Sequence, residues 1–274
     1  MIKHQAYKFD IPIKGIVNIE NFHMYAGFGK HASVQIQVLI KEENIEDIHY
    51  IEDGEKLTVY EKDERLFCGK IIEVSLRHEK AVYYVNIKAV SYTYEWTLKK
   101  VSQSFNDCNL KYIEVFKNIL SKYKDAEIID MVCKDSKIPE FLLQYEESDW
   151  SFLERLASHF AAYIIPEYTE EKGRVYIGIP DIKNGVKFEE NEYNVEKKLD
   201  NYYKMSKTIK VYPQEYISIK IVSDKKLVLG EEVIVGEKQI KVIVTEIEYS
   251  LISGEIVKNY KLSRKAGMLK EYNC

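Results

Sequence analysis

From Ser33 to Ile40 the sequence reads SVQIQVLI, with Val34, Ile36, Val38 and Ile40 on one side of an extended chain and Gln35 and Gln37 on the other. Strict alternation is the mark of a strand buried on one face, because a helix scatters such residues around its axis. Further strand-like stretches follow at 56–61 (KLTVYE), 66–76 (LFCGKIIEVSL) and 82–90 (VYYVNIKAV), separated by the polar segments EDGE, KDER and RHEKA. Connections this short join antiparallel hairpins and leave no room for crossover helices. A β-sandwich or β-barrel is expected rather than alternating βαβ units.

The periodicity changes at NDCNLKYIEVFKNILSKYKD, where Leu110, Ile113, Phe116, Ile119, Leu120 and Tyr123 recur at helical spacing. Asp107 or Asn109 is the expected N-cap. A second helix follows in QYEESDWSFLERL, with Ser148 as its cap and Trp150, Leu153, Leu156, Ala157, Phe160 and Ala161 as its apolar stripe. YIIPE then turns to strand and is expected to pair with RVYIGIP (174–180) across TEEKG. The chain thus divides into a first β region (1–102), a small α+β module (103–180), and a charged connector with a second β region (181–274).

The last strands, in EYISIKIV, EEVIV, QIKVIVTEIEYSL and EIVKNYKLS, echo the first region. Placing Gly54-Glu55 on Gly230-Glu231 sets Leu57 on Val233 and Val59 on Val235. After a one-residue slip in the turn, Ile72 to Leu76 fall on Ile247 to Leu251, Val82 on Val257 and Ile87 on Leu262. Inward and outward faces agree throughout this register. Apolar residues on both sides of 240–247 fit either contact with a neighbouring subunit or a strand buried within one chain.

Bulk properties narrow the function. At 274 residues the chain holds about two domains. With 46% hydrophobic and 31% charged residues it has ample core material, and its 22 tyrosines suit half-buried strands. A net charge of −4 argues against nucleic-acid binding, which calls for a basic excess to displace counterions from phosphate. Cys68, Cys108, Cys133 and Cys274 form no CxxC pair, and the six histidines show no metal-ligand spacing, so free thiols and no metal or cofactor are expected. The first residues, MIKHQAYKFDIPIKG, lack a secretory h-region, and no apolar run is long enough to cross a membrane as a helix. Synthesis and folding in the cytosol, without membrane insertion, are expected.

Glu146, Glu147 and Asp149 are the one carboxylate cluster that invites a catalytic reading, since glycoside cleavage uses two carboxyl groups in different protonation states. Their position offers a simpler cause: acids near a helix start are favoured by its exposed N–H groups and dipole. No nucleophile elbow or phosphate-binding glycine loop accompanies them. No catalytic residue is assigned. Arg155 faces away from the apolar stripe and either pairs with a carboxylate or stays solvated.

The stretch QYEESDWSFLERLASHFAAYIIPE resembles the Q-Y-x-E-[ST]-D-x-x-F-[IL]-x-R-L run of the VgrG and phage late control D proteins, hubs of contractile tails and type VI secretion machines. Gln144, Tyr145, Glu147, Ser148, Asp149, Phe152, Leu153, Arg155 and Leu156 match it in order. LFCGKIIEVS, SQSFNDCNLKYIEVFKNIL and VIVTEIEYSL with VKNYKL, including Tyr260, are similar to other parts of the family more loosely. The resemblance implies a mainly β chain with two related tail-tube-like antiparallel β-barrels flanking the α+β module. It also implies a non-enzymatic homotrimer whose six barrels join a sixfold tube protein to a threefold spike protein, carried in a phage tail, virion or secreted particle. The family often has glycine at the helix exit; Ala161 and Ala162 here suggest a helix one turn longer. The chain stops at AGMLKEYNC without the needle of many members, so the spike is expected as a separate polypeptide or a further part of the product. A cell-wall glycan hydrolase using Glu146 or Glu147 with Asp149, or a carbohydrate-binding β-module using the tyrosines, is the alternative.

Overall fold

The computed structural model describes residues 2–4, 6–52, 54–139, 141–188, 193–197, 199–207, 210–236 and 239–265; Cys274 and the stretch AGMLKEYNC lie outside them. Strands β1 (Ile2–His4) and β2 (Tyr7–Asp10) form a hairpin, as do β3 (Ile16–Gly27) and β4 (Lys30–Ile40). A 3₁₀ stretch (Glu42–Tyr50) leads to the meander β5 (Lys56–Glu61), β6 (Glu64–Glu79) and β7 (Val82–Val90). The alternation in β4 has the expected result. Val34, Ile36 and Val38 are buried and stand opposite buried Ala89, Ile87 and Val85 of β7. Such apolar cross-strand pairs contribute roughly 0.2–1 kcal/mol each beyond alanine pairs.

The helical segment contains β8 (Lys100–Phe105), α1 (Tyr112–Leu120), β9 (Glu127–Asp130), β10 (Leu142–Ser148), α2 (Asp149–Ser158), β11 (Ile164–Glu167) and β12 (Arg174–Ile177). Its own buried cluster packs Val115, Phe116 and Ile119 of α1 against Phe152, Leu153 and Leu156 of α2. β11 pairs antiparallel with β12, as its sequence suggests, while β9 adds a parallel third strand and β8 pairs with β10.

Both helix ends correct the sequence expectation. Asp107 spends its carboxylate on the N–H of Asn109 at 2.9 Å, in a turn of its own, and Asn109 accepts from Lys137. Helix α1 starts after Lys111, whose backbone N–H donates to Glu114 Oε2 at 2.8 Å from within the first turn. Helix α2 gains no extra turn. Ala161 adopts a φ of 51°, and the N–H groups of Ala162 and Ala161 return to the carbonyls of Ala157 and Ser158 at 3.2 and 2.9 Å. This is a Schellman ending with alanine where glycine is the unstrained residue.

The remaining elements are β13 (Lys187–Phe188), β14 (Asn194–Lys197), α3 (Leu199–Met205), β15 (Ile217–Val222), β16 (Glu232–Val235), β17 (Ile240–Ile252) and β18 (Glu255–Ser263). Their pairing repeats that of the first region. The order β5-β6-β7-β4-β3 reappears as β16-β17-β18-β15-β14, with every neighbouring pair antiparallel in both. Even the β-bulges coincide: Ile72 is the extra residue of β6 against β7, and Thr245 is the extra residue of β17 against β18. Two-residue turns with positive φ, Lys80-Ala81 and Ser253-Gly254, close the corresponding hairpins.

This repeat moves the register expected from sequence. The bulges and turns place Val74 on Ile247, Leu76 on Tyr249, Ile87 on Tyr260 and Ala89 on Leu262, two residues away from the sequence alignment. A slip of two keeps every side chain on its face, so hydrophobic pattern cannot detect it.

Among the described residues neither region closes into a barrel by itself. Instead β3 pairs along its second edge with β17, from Gly27 opposite Glu246 to His23 opposite Ser250, fusing both into one 13-stranded sheet. The cause is that β3 gives this edge to the other region rather than back to its own first strands. The first region still curls: Phe9 on β2 and Phe22 on β3, far apart in strand order, meet edge-on at 5.1 Å. One buried cluster runs through both regions and takes in Ile165 and Tyr168 from the helical segment. Val242 to Thr245 are all buried within the single chain, which accounts for the two-sided apolar pattern there.

Left-handed alanine costs on the order of 1–2 kcal/mol. Ala161→Gly is therefore expected to raise unfolding stability by about 1 kcal/mol, after glycine's greater chain entropy is subtracted. A shift in the urea midpoint at unchanged slope checks it.

Candidate functional site

The signature residues lie where β10 runs into α2. Ser148 caps the helix as expected, its hydroxyl accepting from the Ser151 N–H at 3.2 Å. Glu146 and Glu147 do not belong to the helix; they sit on β10, where a bulge falls between Gln144 and Glu147 and Glu146 takes a φ of 44°. Helix-dipole attraction therefore accounts for Asp149 alone. Glu146 is exposed, and its N–H donates to Ser102 Oγ at 3.0 Å. Glu147 is half-buried and clamped by Arg155, whose Nη2 lies 2.9 Å from Oε2 and also donates to the Leu143 carbonyl at 2.6 Å. Of the two fates open to Arg155, pairing is the one observed. It ties the helix back to the strand that precedes it.

Asp149 is fully buried and saturated. Its Oδ2 accepts from Tyr123 Oη at 2.5 Å and meets Lys122 Nζ at 2.7 Å, while Oδ1 accepts from Gln144 Nε2 at 3.0 Å. Gln144, also buried, spans the bulge through the Glu147 carbonyl at 3.0 Å and accepts from Gln103 of β8 at 2.6 Å. Burial, with the hydrogen bond to Asp149, holds the Tyr123 hydroxyl well above its ordinary pKa. These bonds join the turn that follows α1, the start of α2, β8 and β10 around one carboxylate. A carboxylate so enclosed positions structure and has no free face for substrate. Lys122, Tyr123 and Gln103 were not singled out by sequence; Tyr123 counted only as part of an apolar stripe, although a tyrosine near a helix end carries a hydroxyl in need of a partner.

Next to the clamp, Trp150 docks the module onto the first sheet region. Its ring centroid lies 4.0 Å from His31 at the start of β4, and His31 Nδ1 is 2.9 Å from Thr93 Oγ1. Burial pushes His31 down to about 4, and its Nε2 is buried without a hydrogen-bond partner. The adjoining turn, Phe28-Gly29, contacts both other parts: Phe28 N–H donates to the Thr245 carbonyl at 3.2 Å and Gly29 N–H to the Ile164 carbonyl at 2.8 Å.

A second polar group bridges the sheet regions. Lys258 of β18 is nearly fully buried and donates to Glu61 of β5 at 2.6 Å and to the Asp224 carbonyl at 3.0 Å. Tyr7 of β2 also donates to Glu61, at 3.1 Å. Tyr260 donates to the Lys225 carbonyl at 2.7 Å, leaving its oxygen to accept from Tyr249 at 2.9 Å; burial pushes the Tyr260 hydroxyl up to about 12. Lys258 alternates with Tyr260 and Leu262 on the buried face of β18, and a lysine in such a position is a sequence signal for a buried partner.

Cys68 and Cys133 are buried and Cys108 is exposed, all as free thiols. Among the described residues no group of three or more His, Cys, Asp or Glu gathers to hold a metal. A groove of about 390 Å³ on the first region is lined by polar side chains including His23, Gln35, Gln37 and Lys88. Another cavity, of about 230 Å³, has Tyr168, Tyr176 and Tyr249 among its lining residues.

Two outcomes are expected. Asp149→Ala leaves the Tyr123 hydroxyl and the Gln144 amide facing an empty site and should cost about 3 kcal/mol of unfolding stability, against about 1 for Tyr123→Phe, both read from denaturant curves. For His31, the unfolded chain binds a proton near 6.5 and the folded chain only near 4. Stability is thus full above about pH 6.5 and falls as pH drops through that window, and His31→Phe should flatten this slope in pH-dependent melts.

No protein-family model matches the sequence, and no curated protein matches it. Solved structures do match in fold. An E. coli component of the type VI secretion system, reported as similar in structure to the T4 bacteriophage tail proteins gp27 and gp5, superposes with a TM-score of 0.74 at 14% identity, covering 97% of this chain and 79% of that one. The 43 kDa tail protein of prophage MuSo2 from Shewanella oneidensis gives 0.72 at 10% identity over 98% and 99% of the two chains. A chain of the Francisella PdpA-VgrG complex gives 0.58 at 11% identity, over 99% of this chain and 60% of that one. The chain shares its fold, over nearly its whole length, with these solved phage tail and type VI secretion structures.

Proposed function

We propose that this chain is the structural hub of a phage tail baseplate or contractile injection machine: a homotrimer that adapts a sixfold tail tube to a threefold spike and performs no chemistry of its own. The observation that carries this reading is the internal repeat, with the same strand order and the same bulge in both sheet regions. Three chains with two equivalent units each present six similar units to a sixfold partner, while keeping three-fold identity toward the other side. In this reading 1–102 and 181–274 supply the two barrel-like units and 103–180 the module between them. The tube protein and the spike protein are the partners, and the finished hub resides in a virion, tail or secreted particle.

The enclosure of Asp149 and the clamping of Glu147 support a role without catalysis. Among the described residues no helix is long and apolar enough to cross a membrane. A ring held by fixed geometry needs interfaces of obligate size, on the order of 2,000 Å² or more in total.

Light scattering on the purified chain tests the reading. The expected mass is three times the 32.2 kDa monomer, alone or after addition of tube and spike proteins. A chain that stays monomeric in their presence rejects the hub. In parallel, neither the chain nor Glu147→Gln is expected to hydrolyse cell-wall glycan; hydrolysis by the chain that the substitution abolishes, with assembly intact, would assign an enzyme instead.

A further inference from the structure

The internal repeat identifies an unfilled position. In the second region, β17 pairs with β16 only through residues 240–243; beyond the bulge its edge is taken by β3, at residues 246–250. In the first region, β6 pairs with β5 only as far as Lys70. Beyond the equivalent bulge, residues 73–79 of β6 have β7 on one side and no strand on the other, among the described residues. The occupant missing from β6 is the equivalent of β3. By the repeat that is β14, which pairs with β15 on one side and with no strand on the other, again among the described residues.

Exposure follows the same asymmetry. Tyr249 and Met24, opposite each other in the β17–β3 seam, are each 1% exposed. Their equivalents, Leu76 on β6 and Val195 on β14, are 41% and 55% exposed. Val195 corresponds to Met24 because it stands opposite Ile219 as Met24 stands opposite Val34, and those partners face Leu262 and Ala89 in turn. Both exposed side chains lie on the face that is core elsewhere in the sheet. An apolar edge left open on a strand is a template for pairing with another chain.

We infer that β14 of one copy adds antiparallel to the 73–77 edge of β6 in a second copy, reproducing between chains the seam that β3 and β17 make within one. The register follows from the internal seam: Val195 opposite Leu76, Asn194 opposite Arg77 and Lys197 opposite Val74. Because the two surfaces differ, the contact is head-to-tail and repeats from copy to copy until a ring closes. The inference rests on the hub reading for the existence of an assembly, and it supplies the interface.

The test mixes two variants with one added cysteine each, Leu76→Cys and Val195→Cys, in a background with Cys108 and Cys274 replaced by serine and the buried Cys68 and Cys133 kept. Directly opposed positions of antiparallel strands fall within disulfide reach. Oxidation of the mixture should give a cross-linked dimer on a non-reducing gel, and either variant alone should not. Leu76→Asp should then lower association at least tenfold by light scattering, with an unchanged melting curve for the isolated chain. A trimer that forms without the cross-link and tolerates Leu76→Asp overturns this interface and leaves the hub standing. Absence of any assembly, with tube and spike present, overturns both.

Discussion

Five residue pairs between β3 and β17 hold the architecture together. They turn two curled sheet regions into a single sheet and fix the angle between them. Every larger-scale property follows from that angle, because the regions carry equivalent edges and the join sets how one is rotated onto the other. The seam does not act alone. The Glu61–Lys258 pair crosses the same boundary inside the core, and desolvating two charges is compensated there by Tyr7, the Asp224 carbonyl and the ring of Tyr249 5.5 Å from the ammonium. Removal of either partner would leave a buried charge, so this group punishes any relative shift of the regions.

The signature around Gln144 and Asp149 gains a physical meaning from the same geometry. A bulged strand entering a helix exposes backbone groups that an apolar core cannot satisfy. Gln144 bridges the bulge, Arg155 braces it, and Asp149 draws the end of α1 onto the start of α2. Glu147 and Asp149, two of the three acids in the cluster, brace this short, irregular corner. Trp150 then transfers that rigidity to β4 through His31.

Much of this fold was legible because strand alternation and short turns are local. The stretches 56–61 and 82–90 match β5 and β7 residue for residue, and Ser148 caps its helix. What escaped was non-local or insensitive to pattern. β9 was invisible because its parallel partner β12 lies beyond a helix and two strands. The true register of the repeat was hidden because a shift of two preserves inside and outside, and only the ladders reveal the bulges at Ile72 and Thr245. Asp107 failed as a cap because a nearer N–H, that of Asn109, competed for its oxygen. The fusion of the two regions through β3 and β17 was hidden for the same reason: sequence does not say which of two chemically equivalent edges a strand will choose.

The seam also joins residues made far apart in time. His23 to Gly27 leave the ribosome long before Glu246 to Ser250 exist. Throughout that interval the long edge of β3 is complete but unoccupied, in a chain whose first region already has strands enough to fold. A contact of such sequence separation closes slowly, and an open edge is where a nascent chain captures a neighbour. Crowded synthesis on one messenger would let β3 of one chain take β17 of another, trading the internal seam for a swapped one with identical pairing. The same economy that repeats a unit within the chain makes the order of its joining a matter of timing.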